Sequence, residues 1–406
     1  MTAEDSGNAG GYAKPGFEGV QAAFARVIAA HPGGCAAALY ADGEEVLHLW
    51  GGRSTATGQP FTGQSLVMTA SVTKGVTSLC AMMLAERGEL DIDAPVAGYW
   101  PEFAAAGKGR IPVRWLLTHQ AGLPVFDPAA RVTAADLLDW EKITGLLAAQ
   151  EPLWEPGTRT GYHAVTFGYL VGEVIRRVSG QTAGQFLATQ ATGRLGAEYW
   201  IGLPAGQEHR VLPNALPPGL IPDVPDLPRL YAERGIDAGS PLARAMLAPP
   251  RGDAGPGDPV WNTRGFHAAE IPAVNGIGTA RGLARLFAAC TGELDGVRLL
   301  SPATVAAART PQTDAVPTVP EFAVLTGTPP RFGLGFQLPG PPLVTMLGPG
   351  CFGCTGAGGR LAFAHPERGV SFAFTCDTML WNGLDGPDPR WTPLLTEVSR
   401  ALALDS

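Results

Sequence analysis

The chain has 406 residues, of which 45% are hydrophobic and 16% charged, and its net charge is -8. That apolar content supplies a substantial core, and the low charge excludes a disordered or coiled-coil chain. Mild acidity without a lysine or arginine run argues against nucleic acid or an anionic membrane as partner, and no apolar run of about 18 residues is present to span a bilayer.

The first residues, MTAEDSGNAGGYAKPG, lack a basic stretch followed by an apolar one, so no secretory signal is visible and a cytoplasmic location is expected. Residues 17–30 predict an amphipathic helix. Two strand-like runs, 35–41 and 44–50, flank Asp42-Gly43, a two-residue hairpin signal. The run 65–70 is a short extended approach to SVTKGVTSLCAMMLAERGELD, from Ser71 to Asp91, where apolar residues recur at helical intervals until Gly88. A largely buried helix is expected there. Next come a short helix and turn in IPVRWLLTHQAGLP (111–124), a helix over 133–150 capped by Thr133, a loop from Pro152 to Gly161, and helices over 165–178 and 182–192. Residues 203–262 hold twelve prolines and read as an ordered wall around a pocket, with Leu230, Tyr231, Leu242 and Met246 inside it. A helix at 279–290, a strand pair around Gly296 and a helix opened by Ser301-Pro302 follow. Strands are expected at 331–338, 343–347, 360–365 and 370–376, with a helix at 391–403.

Four lysines (Lys14, Lys74, Lys108, Lys142) stand against 25 arginines, the remainder of the 29 basic residues. This chain supplies positive charge as arginine, so a lysine opening an apolar helix needs a chemical reason. Arginine cannot release its proton in a protein, whereas a buried lysine can be held neutral. Ser71 and Lys74 lie three apart on one helix face, the spacing at which a neutral amine activates a hydroxyl. The same four residues also describe a plain helix start, with Ser71 as cap and Lys74 reaching solvent.

A serine–lysine pair needs a proton relay and donors for an oxyanion. Tyr162, after the glycine-bearing loop and just before a helix, is the relay candidate; the alternative is a loop tyrosine packed beneath that helix. The glycine-dense GPGCFGCTGAGGRLAF (348–363) lets backbone approach a ligand closely, so a free N–H there, with that of Ser71, is the candidate oxyanion hole; the alternative is a tight turn with a bulge. No G-x-S-x-G elbow, Walker motif or dinucleotide fingerprint occurs. Of the six cysteines, Cys35, Cys80 and Cys290 fall in apolar segments. Cys351-x-x-Cys354 has no second ligand pair at zinc spacing. Cys376 completes the set, and no metal, cofactor or disulfide is expected.

Ser71-Val-Thr-Lys74, LLTHQAGLP (116–124), Tyr162 and Cys354-Thr355-Gly356 resemble, in order and spacing, the serine β-lactamase/penicillin-binding protein superfamily. The likeness is greatest to its class C-like esterase branch, the family VIII carboxylesterases, and covers about residues 17–400. It implies an α/β fold: an antiparallel sheet flanked by helices and built from both chain ends, with an inserted, mostly helical domain. Residues 1–70 and 265–406 would form the α/β sandwich, residues 71–264 the helical domain including the wall at 203–262, and the active site would lie between them. The resemblance implies Ser71 as acylated nucleophile, Lys74 and Tyr162 as general-base pair, the N–H groups of Ser71 and Ala357 as oxyanion hole, and Cys354, Thr355, Gly356 and His163 as pocket residues. Two departures stand out. Tyr162-His163-Ala164 lacks the amide of the β-lactamase Tyr-x-Asn, and Cys354 replaces the lysine that opens their third motif. The expected substrate is a small-molecule ester or acyl donor, hydrolysed through an acyl-enzyme. Transfer of the acyl group to an amine or alcohol is the second reading, and an inactive binding module the third.

Overall fold

The computed structural model describes residues 9–216, 232–233, 235–237, 239–240, 259–321, 331–340, 344–380 and 387–403. The chain enters through β1 (Ala9–Ala13) and α1 (Glu18–Ala30), then the hairpin of β2 (Gly34–Ala41) and β3 (Glu44–Gly52). Asp42 and Gly43 take φ of 50° and 77°, the pair of left-handed conformations that a two-residue turn between twisted strands requires. There follow β4 (Val67–Met68), α2 (Val72–Glu86), α3 (Val113–Leu117), α4 (Trp140–Ala149), α5 (Thr166–Ser179), α6 (Ala183–Leu187), β5 (Tyr199–Trp200) and α7 (Arg264–Ala268). The last part adds β6 (Ile277–Gly278), α8 (Ala280–Thr291), α9 (Pro302–Ala308), β7 (Phe352–Gly356), β8 (Arg360–His365), β9 (Val370–Cys376) and α10 (Thr392–Ala401).

The main sheet is antiparallel with strand order β1-β3-β2-β9-β8-β7, so its two halves come from opposite ends of the chain. Its seam pairs Cys35 with Cys376 through Ala41 with Val370. Alternation along the strands divides the core. Cys35, Ala37, Leu39, Phe363, Phe372 and Phe374 face α1 and α10. Ala36, Ala38, Ala362, Ala364 and Ala373 face the other way, and their small side chains let α8 lie close. On that second face the core continues without a break through α2 into α5. Every residue of α2 from Val72 to Leu84 is buried, and its polar side chains find partners inside, Thr77 on the Pro272 carbonyl and Ser78 on the Gly335 carbonyl among them.

Several expected elements differ. Asp139, not Thr133, caps the helix after residue 133, its carboxylate accepting from the Lys142 N–H at 3.0 Å. Thr133 instead closes a turn on Asp136. Residues 331–338 are not a strand: Gly335 has φ of 81°, and a Cβ there would fall 2.1 Å from Ser78 Oγ, so the segment folds back on α2 and makes isolated bridges only. Val344 makes one bridge to Gly340, Met346 turns left-handed, and Leu343 lies outside the described residues. Around Gly296 a tight turn carries one bridge, Leu294 to Val297, rather than a strand pair. Much of the proline-rich 203–262, including Leu230, Tyr231, Leu242 and Met246, also lies outside the described residues. Among those described, no helix is long and apolar enough to cross a membrane, and all six cysteines are buried and unpaired.

Candidate active site

Ser71 occupies the N-cap position of α2, but its hydroxyl makes no capping bond. The plain helix-start reading therefore fails at its first point. It fails at the second too: Lys74 is 1% exposed and does not reach solvent. The residue before the serine, Ala70, holds a left-handed φ of 48°, a conformation that costs about 1–3 kcal/mol in a non-glycine residue. The Ala70 carbonyl is fixed by the Thr73 hydroxyl at 2.6 Å, which turns the chain sharply from β4 into α2 and leaves Ser71 at the corner.

The Lys74 Nζ lies 3.1 Å from Ser71 Oγ, 2.7 Å from the Ala164 carbonyl and 3.0 Å from the Ala273 carbonyl. Carbonyls only accept, so they take two amine hydrogens. A neutral amine then has its lone pair left for the serine hydroxyl. Burial pushes the Lys74 pKa down to about 7, with Cys354 acting in the opposite sense. Ala164 stands where the β-lactamase motif has its amide, and its backbone carbonyl contacts the lysine.

The Tyr162 side chain lies close enough to Ser71 for the serine to influence its phenol. Burial holds its phenol well above the usual tyrosine range, Cys354 adds to this, and Ser71 opposes it, so the resting group is a neutral phenol. Phe332 stacks on the ring at 6.1 Å, His119 packs against it at 4.9 Å, and Lys74 Nζ lies over it 4.8 Å from the centroid. The aromatic face favours the ammonium once Lys74 has taken a proton.

Cys354 and Thr355 lie on β7 beside α2. Cys354 is 3% exposed, and its thiol donates to the Ser71 carbonyl at 2.9 Å. Burial pushes this thiol up to about 11 against the influence of Lys74, so it is not a thiolate at neutral pH. Thr355 is half-buried, and both its N–H and its hydroxyl donate to Gln337 Oε1, at 3.0 and 2.8 Å. Gly356 packs so closely that a Cβ would sit 2.3 Å from the Thr69 carbonyl, which brings the end of β7 against the start of α2. Ala357, the next residue, is exposed. Among the described residues neither the Ser71 nor the Ala357 N–H meets an acceptor.

His163 departs from expectation. It is 0% exposed and lies beneath the site rather than on a pocket wall. Its Nε2 accepts from the Leu123 N–H at 3.1 Å, so Nδ1 carries the hydrogen and donates to the Gly161 carbonyl at 2.6 Å. Burial pushes its pKa down to about 3, opposed by the Gly161 bond. It is a neutral brace that ties residues 161–163 to the Gly122 loop. His119 does similar work: buried, with a left-handed φ of 60°, it accepts the His163 N–H at Nδ1. Burial holds it neutral, helped by His163 and Lys74. Sequence reasoning did not single out the carbonyls of Ala164 and Ala273, or Phe332 and Gln337. Backbone carbonyls carry no side-chain signal, and the last two sit in a segment that reads as a plain strand.

A family model described as Beta-lactamase matches residues 22–395. Esterase/beta-lactamase LipL of Mycobacterium tuberculosis is 34% identical over 383 residues, covering 91% of this chain and 83% of that protein. Among solved structures, a family VIII carboxylesterase superposes with a TM-score of 0.79 at 34% identity, covering 97% of this chain and 99% of its own. A penicillin-binding protein homologue from Caulobacter crescentus superposes with a TM-score of 0.77 at 33% identity, over 97% and 100%. The match runs through both halves of the sheet and the helix that carries Ser71 and Lys74, and the chain is an enzyme of the beta-lactamase family.

Proposed function

We propose that the protein is a serine hydrolase that cleaves small-molecule carboxylic esters through an acyl-enzyme on Ser71. The observation that carries this reading is the Lys74 amine, fully buried, with two carbonyls accepting its hydrogens and Ser71 Oγ at 3.1 Å. In this reading Lys74 takes the Ser71 proton as Oγ attacks the ester carbonyl. The N–H groups of Ser71 and Ala357 receive the oxyanion. Tyr162, a neutral phenol beside Ser71 and Lys74, gives its proton to the departing alkoxide and is reprotonated at the expense of Lys74. Water, activated by the same pair, then releases the acid.

The relatives named esterase or carboxylesterase support ester hydrolysis. Cys354, a neutral thiol turned onto Ser71, leaves that position without the cation that would hold a β-lactam carboxylate, which favours esters over lactams. A hollow of about 450 Å³ is lined by Leu153, Trp154, Val319 and the polar Glu155, Thr158, Arg159, Ser240 and Glu321, and Tyr162 packs against Val319 beside it. Since Tyr162 protonates the leaving oxygen, we assign the alcohol part of the ester to that side. Thr355 and Gly356, on the strand beside Ser71, line the acyl side. We also propose that residues 71–264 form the inserted helical unit and 1–70 with 265–406 the sandwich, with the site at their junction.

The test is hydrolysis of p-nitrophenyl butyrate, with intact-mass detection of the acyl adduct. Ser71→Ala is expected to lose at least about 10⁴-fold in kcat/KM and to form no adduct. An adduct on Cys354, or equal rates in both proteins, would overturn the assignment. Amide in excess of acid when an amine is added would move the reading to acyl transfer.

A further inference from the structure

Two arginines of the last part of the chain are almost wholly buried and take no part in the mechanism above. Arg360, the first residue of β8, is 0% exposed, and Arg390 is 2% exposed. Both point at one turn, residues 356–359. Arg360 Nη1 donates to the Ala357 carbonyl at 2.7 Å and Nη2 to Asn214 Oδ1. Arg390 Nη2 donates to the Gly358 carbonyl, its Nη1 donates to the Thr378 carbonyl at 2.7 Å, and its other contacts pair it with the buried carboxylate of Asp388. Among the described residues Arg360 hydrogen-bonds no carboxylate. A buried guanidinium with only neutral acceptors is a costly way to fill space. What it achieves is to hold carbonyl oxygens in place.

Those carbonyls belong to the turn that presents the Ala357 N–H. The Gly356 carbonyl accepts from the Gly359 N–H at 3.1 Å and so points into the turn. In a trans peptide the N–H points the opposite way, so the Ala357 N–H is aimed outward, and Gly356 lies against Thr69 and Val72 at the start of α2. The turn rests directly on the arginines. A Cβ on Gly358 would fall 2.3 Å from Arg360 Nη1, and one on Gly359 2.1 Å from Arg390 Nη2, with φ of 84° and 103° at these glycines.

We propose that Arg360 and Arg390 are positioning residues for acyl transfer: they clamp the carbonyls of Ala357 and Gly358 and so keep the Ala357 N–H directed at the substrate oxygen that becomes negative. This rests on the serine-esterase reading. The two arginines touch no reacting atom, and their effect is confined to states that carry an oxyanion.

The experiment compares the parent enzyme with Arg360→Met on p-nitrophenyl butyrate. It also compares their affinities for butylboronic acid, which forms a tetrahedral adduct on the serine, and for butyrate, which does not. Circular dichroism checks that the variant is folded. A donor displaced by about 1 Å costs on the order of 100-fold. The expected result is a loss of about that size in kcat and an equal loss in boronate affinity, with KM and butyrate affinity unchanged and partial recovery in Arg360→Lys. A folded variant with parental kcat, or one that loses kcat but keeps boronate affinity, overturns the proposal. If Arg360→Met does not fold, Asn214→Ala loosens the same guanidinium and is expected to lose roughly fivefold in both quantities. No paired loss in folded Asn214→Ala would overturn the proposal equally. Failure of the underlying reading is seen separately, as a parent enzyme that forms no boronate adduct on Ser71, and it takes this proposal with it.

Discussion

Two of the four lysines are buried, and they make an instructive pair. Lys74 opens α2, while Lys108 lies in a loop in the first part of the helical region, 0% exposed. Each amine donates to two backbone carbonyls: Ala164 and Ala273 for Lys74, Ala105 and Gln150 for Lys108. Each lies over an aromatic ring, Tyr162 at 4.8 Å and Phe103 at 5.4 Å. Burial pushes both down, Lys74 to about 7 and Lys108 to about 8, with Glu151 opposing the shift at Lys108. The difference is the third contact. Lys74 has Ser71 Oγ, a group that can hand it a proton, and Lys108 has only acceptors. A lowered pKa makes a base available, and a proton donor beside it makes that base useful.

The comparison breaks most sharply by substituting the two lysines. In the reading proposed here Lys74→Arg keeps a cation that cannot deprotonate, so kcat/KM is expected to fall about 10³-fold. Retention of a tenth of the activity would remove Lys74 as base. A pH profile sharpens the same point. The amine accepts a proton only when neutral, and its pKa is lowered, so kcat/KM should rise with pH through about 7 and level off above it. At pH 5 the rate should lie about 100-fold below the plateau; a profile flat through neutrality would contradict this. Cys354→Ala removes a neutral thiol and is expected to change kcat/KM by less than about threefold. A much larger loss would make the thiol a participant. The smallest effect on activity belongs to Lys108→Met, within about twofold of the parent. Two carbonyls lose their donor there, so a denaturant melt should show a loss of about 1–3 kcal/mol.

The same pair of lysines marks how far the sequence could be read. Scarcity of lysine pointed to Lys74 because an apolar helix followed it. Lys108 sits in Gly-Lys-Gly-Arg, which reads as a solvated turn, and only the tertiary structure buries it. The hairpin at Asp42-Gly43, α2, and strands β8 and β9 were legible because their turn chemistry and periodicity agree with their burial. Residues 331–338 misled for the opposite reason. Their alternation suits a strand, but Gly335 must approach Ser78 more closely than any side chain allows. Ser71, Lys74 and Tyr162 stood out as candidates by type and order, and the fold brings Lys74 Nζ to 3.1 Å from Ser71 Oγ. His163 was misassigned because sequence adjacency to Tyr162 says nothing about which way a ring turns.

The sheet seam has a consequence for how the molecule is made. β2 can pair with β9 only after nearly all of the chain has been synthesised, because Cys35 meets Cys376. About 300 residues separate the end of β3 from the start of β7. At the usual pace of about 5–20 residues per second, the N-terminal hairpin waits roughly 15–60 s on the ribosome for its neighbours. Through that interval α2, buried along nearly its whole length in the finished fold, has been made but has no finished sheet to lie against. The nascent chain therefore carries the helix of Ser71 and Lys74 with only its helical neighbours in place, and the last strands to emerge complete its cover.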